Sequence, residues 1–127
     1  MNRSVTIGLA MLAGAAMGAA AVQGLHAQAK PPIYVIGEID YLNQATYLSD
    51  YAPKAWAVIE AAGGKYLAAG GKTATIEGEP PKSRIVILQW ASIEQYQAYR
   101  NSAAFKELLP LREKMGKFRI FAVEGLQ

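Results

Sequence analysis

The segment Arg84–Trp90 constrains this chain most, because it is a strand with apolar residues on both faces. Side chains alternate across a strand, so Ile85 and Ile87 project one way while Val86, Leu88 and Trp90 project the other. Phe118–Glu124 repeats the pattern, setting Phe118, Ile120 and Ala122 against Phe121 and Val123. A sheet built from such strands cannot leave one side wet. It needs two covers.

The order of elements supplies one of them. Ile33–Ile39, rich in β-branched and aromatic residues, predicts a first strand. Asn43 is placed to cap a helix whose apolar stripe is Ala45, Leu48, Ala52, Ala55, Ile59 and Ala62. Pro53 interrupts that stripe, so a short first turn and a main segment over 52–62 are expected, ended by Gly63-Gly64. Lys65–Ala69 predicts a second strand, and the glycine- and proline-rich stretch 70–83 a connection. After the third strand, Arg84–Trp90, Ser92 with Gln95 has the form of a capping box. Asn101-Ser102 marks a break and a fresh cap. A further helix then runs through Phe105, Leu108, Leu109 and Arg112, bent at Pro110 and ended by Gly116. Phe118–Glu124 is the last strand. The order β-α-β-β-α-β is that of the ferredoxin-like split βαβ arrangement: an α+β fold, a four-stranded antiparallel sheet with both helices on one face. The other apolar face then calls for a second subunit, sheet against sheet, because large exposed apolar patches are rare on soluble monomers. An obligate homodimer with a barrel-like interface is expected.

Residues 1–29 give an address. Arg3 supplies a positive start, Val5 to Val22 carries no charge, and Ala27-Gln28-Ala29 has the small-x-small form that a signal peptidase reads. Cleavage before Lys30 would release a periplasmic or secreted domain spanning 30–127, with no stable membrane insertion. The competing reading is an uncleaved anchor, since the apolar run approaches a bilayer span. It is Ala- and Gly-rich rather than Leu- and Ile-rich, which favours export.

The absences restrict the chemistry further. The mature segment of 98 residues holds twelve basic and ten acidic residues, a net charge of +2. The basic residues are scattered apart from a small cluster at 112–119, which does not make a nucleic-acid footprint. Cysteine is absent, so no disulfide braces the domain. The one histidine, His26, lies in the leader. A mature chain without His or Cys excludes thiolate chemistry, Cys/His zinc sites, His-ligated haem and Ser-His-Asp triads. Neither a metal nor a cofactor is expected.

Gly63-Gly64-Lys65-Tyr66-Leu67, Gly70-Gly71, Glu77-Gly78, the strand Ile85–Trp90 with Ala91-Ser92-Ile93-Glu94, and then Tyr99, Asn101-Ser102, Phe105 and Arg112 together resemble the uncharacterised DUF1330 group of the dimeric α+β barrel superfamily. The resemblance covers roughly 33–125. Tyr96, Tyr99 and Phe105 depart from that pattern, where a small residue, Trp and Tyr are usual. They imply a differently shaped pocket on the same fold. The resemblance implies the fold and the dimer but no agreed reaction.

Arg112 is the first candidate for chemistry. A guanidinium at a pocket mouth holds a carboxylate or enolate through two parallel hydrogen bonds; the alternative is a structural ion pair with Glu113 or a carboxylate of the first helix. In related barrels the cavity lies between helices and sheet, which implies Tyr51, Tyr99 and Trp90 as lining residues, although aromatics at these spacings also serve as core. Asp50 and Glu77 are the carboxylates placed to act as a base, with a solvated surface position and a pairing of Glu77 with Lys72 or Lys82 as the alternatives. Gly70-Gly71-Lys72-Thr73 lacks full phosphate-loop spacing and is read as a turn. The expectation is an exported homodimer binding a small aromatic or carboxylate ligand. The alternatives are a cofactor-independent isomerase or monooxygenase of the same superfamily, or a dimeric interaction module without catalysis.

Overall fold

Ile39 pairs with Arg84 on one side and with Phe118 on the other, and this row decides which residues of the sheet look toward the helices. The computed structural model describes residues 31–127; the leader expected over 1–29 lies outside the described residues. Four strands, β1 (Ile33–Tyr41), β2 (Lys65–Ala69), β3 (Arg84–Trp90) and β4 (Gly116–Glu124), form one sheet in the order β2-β3-β1-β4. All the pairings are antiparallel, with a bulge in β2 between Tyr66 and Ala68. With helices between β1 and β2 and between β3 and β4, this is the ferredoxin-like α+β fold.

The helices are α1 (Gln44–Thr46), α2 (Ala52–Ala61), α3 (Ile93–Arg100) and α4 (Ala103–Met115). Their starts follow from the capping residues. Asn43, Ser92 and Ser102 are extended, and their side chains accept from the backbone N–H of Thr46, Gln95 and Phe105, each satisfying a donor that has no helical partner. Gln95 departs from the capping-box form. Its Oε1 accepts from the N–H of Ala91, one residue before the cap, at 2.8 Å, and its Nε2 donates to the Ala62 carbonyl at the end of α2. Gly63 (φ +101°) closes α2: Gly63 N–H bonds Glu60 O and Gly64 N–H bonds Ile59 O, the paired bonds of a Schellman ending. α4 runs on through Pro110 to Met115.

Between α1 and α2 lies a π-helical turn, Tyr47–Tyr51, in which the N–H of Ala52 reaches back to Tyr47 O. One extra residue in that turn shifts the phase of everything before Pro53. The stripe expected through Ala45 and Leu48 is therefore corrected. Tyr47, Tyr51, Ala55 and Ile59 are buried, whereas Leu48 is 44% exposed. Pro53 sits in the first turn of α2, where its missing N–H leaves no helical bond unmade.

The helices lie against the sheet face that carries Ile33, Val35, Ile39, Leu88 and Trp90, all buried. The core has two parts. One joins Ile33, Val35, Ile59, Leu88, Trp90, Tyr99 and Phe105; the other joins Ile39, Tyr47, Tyr51, Ala55, Leu108 and Met115. The opposite sheet face carries the row Ile87–Ile36–Phe121, with Val123 and Phe121 about half exposed. An Arg119–Glu38 ion pair and a Lys82–Asp40 pair border it. Among the described residues no helix is long and apolar enough to cross a membrane.

Candidate functional site

A cavity opens between the helices and the sheet, its walls drawn from both parts of the core. Its floor is the row Arg84–Ile39–Phe118, flanked by Gly37, Val86 and Ile120 on neighbouring rows. Gly37 has no side chain to raise into that space. Tyr47 and Tyr51 reach the cavity from the π-turn, Tyr96, Tyr99 and Arg100 from α3, and Phe105 and Arg112 from α4. The inner chamber holds about 70 Å3. It shares Tyr96, Arg100, Arg112, Phe118 and Ile120 with a wider vestibule of about 360 Å3 that extends past Phe121 and Ala122 on the edge strand β4. At the other end a near-parallel stack of Trp56 on Tyr66, centroids 3.8 Å apart, forms a wall. Trp56 Nε1 donates to Glu60 Oε1 at 2.7 Å, which fixes that ring.

Three guanidinium groups face this apolar space. Arg112 lies over Phe118, 3.7 Å from its centroid, and 5.7 Å from Phe105. Arg100 lies 4.4 Å from the Phe105 centroid and donates to the Tyr96 hydroxyl at 3.1 Å. Arg84 lies 5.2 Å from the Tyr47 centroid, and its buried Nε has no hydrogen-bond partner. No Asp or Glu lines the cavity, and among the described residues none of these arginines forms an ion pair. The structural ion pair weighed for Arg112 is thus not made. Ring faces hold the cations by about 0.5–2 kcal/mol each, tyrosine hydroxyls take one hydrogen bond from each guanidinium, and of the five N–H donors each arginine carries, others remain for an anion.

The tyrosine hydroxyls are donors at neutral pH. Burial pushes Tyr47 up to about 12, against the pull of Arg84 beside it. Burial likewise raises Tyr51, against Arg112, and raises Tyr66 and Tyr99. Groups held protonated in this way can give a hydrogen bond but do not serve as a base at pH 7. The cavity is lined by no His, Cys, Asp or Glu, and among the described residues no three such side chains converge as metal ligands.

The structure brings together Arg112, Tyr51 and Tyr99. Trp90 does not line the cavity; it is 1% exposed and packs behind Tyr96 and Tyr99, with its Nε1 unpartnered. Asp50 points to solvent and accepts from Ser49 Oγ at 2.9 Å. Glu77 lies in the exposed 70–83 connection, away from the lining residues. Sequence reasoning missed Tyr47, Arg84 and Arg100. Arg84 carried a usable signal, since strand alternation places it on the same face as Val86, Leu88 and Trp90.

The fold resembles three solved structures at low sequence identity. A protein of unknown function from Rhodopseudomonas palustris is 16% identical, with a TM-score of 0.64 over 84% of this chain and 92% of that one. SnoaB, a cofactor-independent oxygenase from Streptomyces nogalater, is 13% identical, with a TM-score of 0.57 over 76% and 95%. HapK from Hahella chejuensis is 13% identical, with a TM-score of 0.52 over 74% and 92%. No curated protein matches the sequence. Residues 32–126 match the family model described as a domain of unknown function, DUF1330, and the chain belongs to that family.

Proposed function

We propose that this protein binds a small aromatic anion, its acidic group held at the mouth of the cavity by Arg112 and Arg100. One observation carries the reading: positively charged side chains surround an aromatic-lined cavity that offers them no carboxylate. Keeping guanidinium groups in apolar surroundings without a counter-charge is costly, and a carboxylate or enolate would supply the missing partner. Tyr51 and Tyr99, protonated at neutral pH, would donate to the same ligand, and the rings of Phe105 and Phe118 would flank its plane.

Thermal-shift and native mass spectrometry measurements over a panel of aromatic carboxylates test this. Arg112→Gln is expected to weaken the best binder about tenfold or more, hydrogen bonds to charged groups being worth about 1.5–3 kcal/mol. The absence of stabilisation by every panel member would refute the proposal.

A second reading is favoured by the likeness to SnoaB, a cofactor-independent oxygenase. In that reading Arg112 stabilises the enolate oxygen of a substrate acidic enough to ionise without a protein base, since none lines the cavity. Oxygen uptake, or isomerisation without uptake, upon mixing with a bound enolisable ligand would support it.

The assembly and the address belong to the same proposal. The Ile87–Ile36–Phe121 row favours a homodimer formed sheet against sheet. Residues 1–29 favour export, with a mature N-terminus at Lys30 as the result expected from N-terminal sequencing of the envelope-released protein.

A further inference from the structure

We infer that the cavity takes a ligand with two acidic groups, one at Arg112 and Arg100 in the mouth and the second at Arg84 on the inner floor. This rests on the anion-binding reading above and adds a second, independent anchor to it. Arg84 lines the inner chamber only, whereas Arg100 and Arg112 are shared with the vestibule. The two ends belong to one sheet row: Arg84 pairs across to Ile39, Ile39 pairs across to Phe118, and Arg112 lies on the Phe118 ring. Two strand spacings separate Arg84 from Phe118, about 10 Å at the backbone. A single aromatic ring with an acidic group at each end would present one head to Arg84 in the inner chamber and the other to Arg112 and Arg100 in the vestibule. Tyr47 and Tyr51 lie over the row, each about 6 Å from Phe118, and would roof the ring between the two heads.

Arg84 is built for that place. Gly70, at φ +70°, leaves room for its Nη1; a side chain there would collide with the guanidinium. The Gly70 N–H is bonded to Ile85 O, which fixes the turn against β3. The Nε of Arg84 is buried with no partner, and the rest of the guanidinium meets the ring face and the hydroxyl of Tyr47, a neutral group. A turn and a ring hold this cation, and no carboxylate among the lining residues neutralises it. The second acidic group of such a ligand would pair with this guanidinium and take the unpartnered Nε donor.

Benzoate and terephthalate are the probes, measured by calorimetry on the wild type, Arg84→Met and Arg112→Gln. Terephthalate is expected to bind the wild type about tenfold or more tighter than benzoate. Arg84→Met should remove that preference, bringing terephthalate to the level of benzoate, and Arg112→Gln should weaken both. Equal binding of the two probes by the wild type, or equal loss of both in Arg84→Met, would overturn the two-headed assignment and leave the mouth site standing. If neither probe binds, the anion-pocket reading fails and this inference with it.

Discussion

Raising the pH should unfold this protein through the tyrosines of its cavity. Below about pH 10 the Tyr47 hydroxyl keeps its proton in the folded and the unfolded chain alike, so its stabilising contribution is fully present. Tyr47 is pushed up from 10.0 to about 12 by burial. Between those values the unfolded chain releases the proton and the folded chain retains it, so stability falls as pH rises. At about 1.4 kcal/mol per unit, the two-unit shift amounts to roughly 3 kcal/mol for this one group. Tyr51, Tyr66 and Tyr99 are raised in the same direction by the same burial. They feel one another's charge, so the loss belongs to the set rather than to four separate groups. For a urea dependence of about 1–3 kcal/mol per molar, the unfolding midpoint should drop by about 1 M or more across this window. The assay is urea unfolding at a series of pH values, with phenolate absorbance and near-ultraviolet circular dichroism followed on the same samples. Absorbance should rise together with loss of the dichroism. Reversible ionisation of Tyr47 near pH 10, with dichroism and midpoint unchanged, would refute the account of its burial.

Two further outcomes test the packing and the assembly. Gly64→Ala would bring a Cβ within 2.6 Å of Trp90 Cζ2 and 2.7 Å of Ile59 Cγ2; overpacking of this kind costs about 1–3 kcal/mol. For a domain of this size that lowers Tm by about 4–8 °C per kcal/mol, and an unchanged melt would mean that α2 and β2 are joined more loosely than the structure shows. Ile87→Glu places a charge in the Ile87–Ile36–Phe121 row and should convert a sedimenting dimer to a folded monomer. A wild type that already sediments as a monomer at micromolar concentration would remove the argument for a second cover.

The four strands, their order and the three side-chain caps were legible in the sequence because each is settled within a few residues: by alternation, by glycine at a turn, by a side chain three positions from the N–H it serves. The antiparallel α+β fold follows from that order. Arg112 could be named because it lies on a helix where it can turn inward and the family pattern holds an Arg there, and Tyr51 and Tyr99 because related barrels place a cavity between helices and sheet. Elsewhere local rules were insufficient. A single residue in the π-turn moved Tyr47 inward and Leu48 outward, and no spacing in the sequence marks it. Asp50 and Glu77 are the same residue types as a buried base and differ from one only in where the fold leaves them. The pairing of Arg84 with Phe118 through Ile39 joins segments more than thirty residues apart, and so does the absence of any carboxylate among the lining residues. Alternation, caps and turns are properties of neighbours along the chain, and sequence determined them. A cavity's charge is a sum over side chains that only tertiary packing brings together.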